Sequence, residues 1–438
     1  MAEKLPSGYT MRTVMGATVK IVKHLGEGGQ GDVYLVDYTL GGSTESKALK
    51  WYKPGGFGSK PEAFYENIKN NVMKGSPSKE FLWPTDITPW IDGLFGYIMD
   101  VRAEGFYEIS QYMLRHQEFA SFRVAIDACL NIVSAFRQLH NKGFSYQDLN
   151  DGNFFINPRN GKVLICDNDN VAPDKYVSGV LGKQRYMAPE IVMGKSMPDK
   201  RTDFYSMSVI LFIILCMGHP LEGKKWLDPA MTYEKQQKLY GSEALFIMDK
   251  NDKSNAPDPR IQKNPLQVFP VLPTYIQDLF YQAFSQEAML QNPNKRPVEV
   301  DWLKALVRFR SDIVFCKCGN EIFSDQGQPC SCEKCGRKAD IPYRLEFIEY
   351  SIPGINDSRI YKCQLGACRA EEALTPMGRV IAKKDNPGML GIRNLSKNSW
   401  RATTPSGKEK YVKTDEVIPL IDGIKFSIDG ETIQIHKN

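Results

Sequence analysis

The segment FSYQDLNDGNFFI, residues 144–156, constrains this chain more than any other stretch. Apolar residues at its two ends flank a loop that sets Asp148 and Asn153 five positions apart. An amphipathic pattern over roughly residues 121–142 predicts a helix before the loop, and FFI predicts a strand after it. A loop held in this way can offer one carboxylate to a hydroxyl proton and one amide oxygen to a metal ion. The turn NPRNG and the strand KVLIC then lead to Asp167, Asn168 and Asp169. Two carboxylates at the end of a core strand raise the question of a metal. A calcium loop starting at Asp167 is excluded, because its fifth and sixth positions are Val171 and Ala172 and its twelfth is Ser178 rather than glutamate.

Upstream, VKIVKHLGEGGQGDVYLVDY (19–38) alternates apolar residues on both sides of a glycine cluster, which predicts a strand, a tight turn and a second strand. Gly26, Gly28 and Gly31 spell G-x-G-x-x-G, followed by Val33. A dinucleotide fold needs a helix after these glycines, and DVYLVDY is strand-like, so a hairpin folding over nucleotide phosphates fits better. ALKWY (48–52) is a short strand with Lys50 among apolar neighbours, an ammonium suited to face a nucleotide. PEAFYENIKNNVMK follows as a helix burying Phe64, Ile68 and Val72. Its Glu66 is expected either to pair with Lys50 or to stand in solvent. FGYIMDV (95–101) gives another strand.

At 438 residues the chain is too long for one ordinary core, and 42% hydrophobic with 24% charged residues is a globular balance. A net charge of +5 is too mild to argue for nucleic acid. The N-terminal MAEKLPSGYTMRTVMG has no apolar signal region, and the longest apolar run, VILFIILCM (209–217), is about half what a bilayer requires. The expectation is a cytoplasmic protein without a membrane span, whose ten cysteines are reduced thiols or metal ligands. Cys129, Cys166 and Cys216 lie singly among apolar residues as core positions.

These blocks, in this order, resemble the eukaryotic-like protein kinase superfamily. Gly26, Gly28, Gly31 and Val33 match its glycine-rich loop, and Ala48 with Lys50 its third strand. YQDLNDGN matches the catalytic loop, Asp167 the aspartate of D-F-G, and MAPE (187–190) the A-P-E element. Asp203 matches the buried anchor of the central helix, and Arg296 the partner of Glu190. The resemblance implies a bilobal kinase fold over 1–312 (smaller lobe about 15–101, larger lobe about 102–312) using ATP and Mg²⁺. It assigns the catalytic base to Asp148, phosphate contact to Lys50 supported by Glu66, metal ligation to Asn153 and Asp167, and further nucleotide contacts to Met99 and Asp100.

Five cysteines fall between Cys316 and Cys335 in CKCGNEIFSDQGQPCSCEKCG. Two Cys-Gly knuckles at this spacing suit a structural Zn²⁺ held by Cys316, Cys318, Cys332 and Cys335, with Cys330 able to replace one of them. A zinc ribbon over 313–340 is expected, followed by an all-β sandwich over 341–438 built from short strands punctuated by Gly, Pro, Asn and Asp. The closing portion resembles a forkhead-associated domain in NLSKNSWRATTPSG and IPLIDGIKFSI; a β module for protein contacts is the other reading. The segment MDKNDKSNAPDPR (248–260) reads as an exposed loop.

The fold class expected is therefore multidomain α+β. The function expected is a serine/threonine kinase acting on protein partners and on itself, with a nucleotide-binding pseudokinase scaffold as the alternative. The D-N-D variant with a zinc-ribbon tail resembles bacterial signalling kinases encoded beside von Willebrand A-type and phosphatase proteins, which implies such partners. Tyr146 and Gln147 stand where that family has histidine and arginine, Asn150 replaces a lysine, and Lys183 a threonine. Without the arginine there is no clamp for a phosphorylated activation loop. Phosphatase treatment of the purified protein is therefore expected to leave its activity intact, and abolition by that treatment would contradict the reading.

Overall fold

Alternating apolar residues build an antiparallel sheet from β1 (Thr10–Arg12), β2 (Thr18–Glu27), β3 (Gly31–Leu40), β4 (Ser43–Tyr52), β5 (Asp86–Ile87) and β6 (Gly96–Asp100), in spatial order β1-β2-β3-β4-β6-β5. This arrangement comes from a computed structural model that describes residues 4–58, 60–176 and 182–438; Ser178, cited above, lies outside them. Because side chains alternate along a strand, Val19, Ile21, Tyr34, Val36, Leu49 and Ile98 fill one face. Ala48, Tyr52, Tyr97 and Met99 fill the other, where helix α1 (Pro61–Lys74) buries Phe64 and Ile68. Proline sits in the first turn of α1, where its missing N–H costs nothing, and Gly75 at φ 70° closes its end.

The described residues form two compact units. The first comprises Met1–Glu118, Ala135–Phe269 and Phe280–Pro297; the second comprises Phe119–Ser134, Pro270–Leu279 and Val298–Asn438. In the first, the helix Lys200–Cys216 opens with a capping box between Asp199 and Thr202 and is buried from Thr202 to Cys216. Its apolar run thus serves a core, with Phe212 packed on the rings of Phe246, Phe269 and Phe280. No helix among the described residues is long and apolar enough to cross a membrane. The loop expected at 248–260 is exposed at 250–254 and 259–260, and it is anchored at one point. Asn255, wholly buried, donates to the carbonyls of Leu221 and Leu245 at 2.8 Å each, and its oxygen accepts from the Lys225 amide. These bonds satisfy both the nitrogen and the oxygen of the buried amide.

In the second unit, the helix Glu299–Asp312 leads into a short hairpin, Ile313–Phe315 with Glu321–Phe323. The Glu321 carboxylate accepts from the backbone N–H groups of Phe122 (2.6 Å) and Arg123 (3.0 Å), the open first turn of the helix Phe122–Asn141. An acidic group there satisfies orphan donors and complements the helix dipole. Arg310 binds Asp127 of the same helix. The region after residue 341 is β-rich. One antiparallel sheet orders Ser351–Pro353, Tyr343–Glu346, Glu431–Lys437, Lys425–Ile428, Trp400–Thr403 and Glu409–Val412; a second orders Arg359–Tyr361, Pro376–Lys383, Asn386–Asn394 and Val417–Pro419. Both contribute to one apolar cluster that includes Leu345, Ile360, Val380, Trp400 and Phe426. The first two strands of this region, Tyr343–Glu346 and Ser351–Pro353, are joined by a turn in which Phe347 and Tyr350 stack their rings and share a 2.8 Å backbone bond.

Arg296 spans Glu190 with two bonds of 2.8 and 2.7 Å and also donates to the carbonyls of Arg201 and Ala288. Removing one partner strands the other in a buried setting. Arg296→Met is expected to cost roughly 3–5 kcal/mol, read as a loss of unfolding free energy in urea.

Candidate active site

The glycine hairpin closes between β2 and β3 with the Gly28 N–H donating to the Gly31 carbonyl at 2.8 Å. Gly31 must lack a side chain, since a Cβ there would stand 2.4 Å from the Trp51 carbonyl oxygen. The β-sheet register sets Lys50 opposite Val33 on one side and Tyr97 on the other. Ala48, Met99 and the partly buried Val33 and Leu164 share one apolar cluster, a surface suited to a flat aromatic base. The Asp100 carboxylate, at the end of β6, is exposed and bonded to Lys47 at 2.7 Å.

Lys50 is buried, and its ammonium meets three acceptors: Asp169 Oδ2 at 2.7 Å, Asp167 Oδ1 at 3.2 Å and Gln30 Oε1 at 3.2 Å. Burial opposes its charge, yet Asp169 and then Asp167 push its pKa upward. The expected Lys50–Glu66 pair does not form. Glu66 lies on the exposed side of α1 and binds Lys69 at 3.4 Å. The face of α1 turned inward at that point carries Asn67 and Asn71, whose amides both donate to the Val171 carbonyl, at 2.9 and 2.7 Å.

Asp167 ends the strand Val163–Ile165 in the left-handed region, φ 50°, so the chain bends there and enters a short 3₁₀ turn, Asn168–Asn170. The positive φ falls on Asp167 and not on Asp169, which explains why no glycine is needed at 169. Asn168, which stands where the resembled family has the phenylalanine of D-F-G, donates to the carbonyls of Leu82 (2.8 Å) and Ile165 (3.0 Å).

Asp203 fixes the catalytic loop. Its buried carboxylate accepts from the Tyr146 N–H at 2.6 Å and the Gln147 N–H at 3.1 Å, and binds His140 at 3.0 Å. Gln147 consequently holds φ 70°, and its side-chain amide donates to the Ser145 hydroxyl and the Tyr176 carbonyl. Beyond this turn, Asp148 accepts from Asn150 Nδ2 at 3.1 Å and from Asn170 Nδ2 at 3.4 Å. Asn153 donates to the Asp148 carbonyl at 2.8 Å, which aims its side chain back along the loop. Burial raises the Asp148 carboxyl to about 6; Asn150 and the Lys183 ammonium pull downward, while Asp167 and Asp169 add to the rise. Lys183 stands 3.6 Å from Asp151. A Cβ on Gly182 would meet Asp148 Oδ1 at 2.6 Å, so Asp148 has a bare backbone beside it.

Sequence reasoning missed Tyr52, Gln30, Asn67, Asn71 and Asn170. The run of asparagines was visible, but no spacing rule pointed to which carbonyl or carboxylate each would find.

In the second unit, Cys316, Cys318, Cys332 and Cys335 bring their sulfur atoms within 4.8 Å of one another. Cys316–Cys335 and Cys318–Cys332 lie 3.5 and 3.7 Å apart, close to the roughly 3.8 Å that tetrahedral coordination at Zn–S ≈ 2.3 Å demands. Gly319 (φ 84°) and Gly336 (φ 69°) turn the two knuckles. Burial alone would raise the Cys332 thiol, but the N–H groups of Cys335 and Lys334 bring it down to about 6. Cys330 is outside the group and packs instead against the small apolar cluster around Val314 and Ile341.

Comparison with known proteins follows the same lines. Residues 98–298 match the family model for the protein kinase domain, which takes in Asp148, Asn153, Asp167, Asp203 and Arg296; Lys50 and the glycine hairpin precede it. Probable serine/threonine-protein kinase MARK-C of Dictyostelium discoideum is 25% identical over 224 residues, 45% of this chain and 29% of the relative. Serine/threonine-protein kinase AtPK1/AtPK6 of Arabidopsis thaliana is 32% identical over 117 residues, 26% of this chain and 25% of the relative. Serine/threonine-protein kinase kin-29 of Caenorhabditis briggsae is 31% identical over 90 residues, 20% of this chain and 11% of the relative. The chain thus spans between 11% and 29% of these relatives' own length. The matched domain and these serine/threonine kinases together support the eukaryotic-like protein kinase superfamily for this chain.

Proposed function

We propose that this chain transfers the γ-phosphoryl group of ATP to serine or threonine hydroxyls of protein partners, and to its own. The observation that carries the reading is the meeting of a buried lysine with Asp167 at 3.2 Å, beside a loop that presents Asp148 and Asn153 from one rigid turn. ATP with Mg²⁺ supplies the phosphoryl group and the metal countercharge when bound, and Asp167 and Asn153 would hold the metal. Lys50 brings a cation to the phosphates. Asp148 orients the acceptor hydroxyl and takes its proton, beside the bare backbone of Gly182.

The cysteine group would hold a structural Zn²⁺, since four thiolates leave no open position for chemistry. Its hairpin presents Glu321 to the first turn of the helix Phe122–Asn141, so the zinc ribbon would brace that helix. The two sheets of the tail support a β-sandwich. In its forkhead-associated-like stretch, Asn394, Ser396 and Trp400 bond to one another within the fold, which favours a protein-contact module over a phosphopeptide site. Partners of von Willebrand A-type and phosphatase families, a bacterial source and a cytoplasmic setting remain the reading of the sequence, and clustered thiols suit a reducing compartment.

Three outcomes test this. Asp148→Ala is expected to lower phosphate incorporation from labelled ATP by about a hundred- to ten-thousandfold, and equal incorporation in both proteins would leave a nucleotide-binding scaffold. Because the base acts as its carboxylate, kcat/KM should be lost as pH falls through about 6, and Asn150→Ala, which removes a donor to that carboxylate, should move the acid limb upward. Metal analysis should find about one zinc per chain, reduced together with the melting temperature in Cys335→Ser; zinc-free protein of normal stability would refute the site.

A further inference from the structure

We propose that Asp169 is the positioning residue for Lys50, taking the part that Glu66 was expected to play. The inference rests on the kinase reading above and deepens it. Asp169 is wholly buried, and a single oxygen, Oδ2, accepts both from Lys50 at 2.7 Å and from the Tyr52 hydroxyl at 2.5 Å. A buried carboxylate persists only where it is paired, so the Lys50–Asp169 contact stabilises both ends. Its other oxygen, Oδ1, has no hydrogen-bond partner among the described residues, which leaves no second anchor for the group.

The alternative role, a second metal ligand, fits the geometry less well. Asp167 keeps its side chain 48% exposed toward the site, whereas Asp169 is shut away beneath it with its bonded oxygen already shared by two donors. The two carboxylates therefore divide the work. Asp167 is available to a metal, and Asp169 keeps the ammonium at a fixed distance from it. Helix α1 takes no part, because Asn67 and Asn71 dock it on the Val171 carbonyl through neutral bonds. One turn, Asp167 to Val171, thus sets the lysine, the metal ligand and the seat of the helix. Without Asp169, Asp167 is the only carboxylate left beside Lys50 among the described residues, and the lysine is drawn onto the metal ligand.

The test uses the full chain and two readouts: kcat and KM for ATP, and protection of Lys50 from an amine-acylating reagent, quantified by mass spectrometry. Asp169→Asn is expected to lower kcat/KM at least about tenfold, mostly in kcat, and to raise Lys50 labelling about threefold. Asp169→Glu should recover part of both. Glu66→Gln should stay within about twofold of the parent in both. Should Asp169→Asn fail to fold, Tyr52→Phe removes one donor at constant shape and is expected to move both readouts the same way by a smaller factor. The proposal is overturned when Asp169→Asn, or Tyr52→Phe in its place, matches the parent in both readouts, or when Glu66→Gln is equally damaging. A parent that transfers no phosphate, yet loses Lys50 protection only on changing Asp169, refutes the kinase reading and upholds the positioning role.

Discussion

The catalytic loop hangs on one carboxylate. Asp203 is buried near the start of the helix Lys200–Cys216, and it holds the Tyr146 and Gln147 amides at hydrogen-bond distance. Two charge-assisted bonds to consecutive N–H groups stabilise a backbone conformation, φ 70° at Gln147, that a glutamine would otherwise avoid. The loop that carries Asp148 and Asn153 follows directly from that turn. The same first turn of the helix offers the Arg201 carbonyl to Arg296, which in turn grips Glu190. One helix start therefore organises two segments that lie far apart in sequence.

Much of this was legible in the residues. Strand alternation, the glycine hairpin, the helix after Pro61 and the polar loop at 148–153 all follow from periodicity and turn chemistry, because each is decided by neighbours within a few positions. The Arg296–Glu190 pair and the Asp203 anchor came through resemblance. The partner of Lys50 did not come through at all. Helical spacing put Glu66 and the inward-facing Asn67 one residue apart, and a step of 100° on a helix separates solvent from core. Choosing between them required knowing how α1 is rolled on the sheet, which the Val171 carbonyl decides from a hundred residues away.

Asparagine is the recurrent device of the site. Asn67, Asn71, Asn150, Asn168 and Asn170 each donate to a carbonyl or carboxylate, and all five do so from buried positions. An amide satisfies such acceptors without adding charge to a region already holding three aspartates and a lysine, so it avoids the desolvation cost of further ions. The departures of D-N-D from the usual pattern belong to this polar rebuilding.

The cap that Glu321 places on the helix Phe122–Asn141 has a consequence for how the chain can be cut. Similarity to kinases marks out residues 98–298, but the amino-terminal half of that helix groups with Val298–Asn438, and its first-turn amides, Asp127 and Arg123 find their partners at Glu321, Arg310 and Ile313. These pairings join residues roughly two hundred positions apart, so each closes a long loop of the chain. A fragment ending where the resemblance ends would carry an uncapped, half-packed helix leading straight into the catalytic loop. The boundary drawn by ancestry and the boundary drawn by folding are different places on this chain.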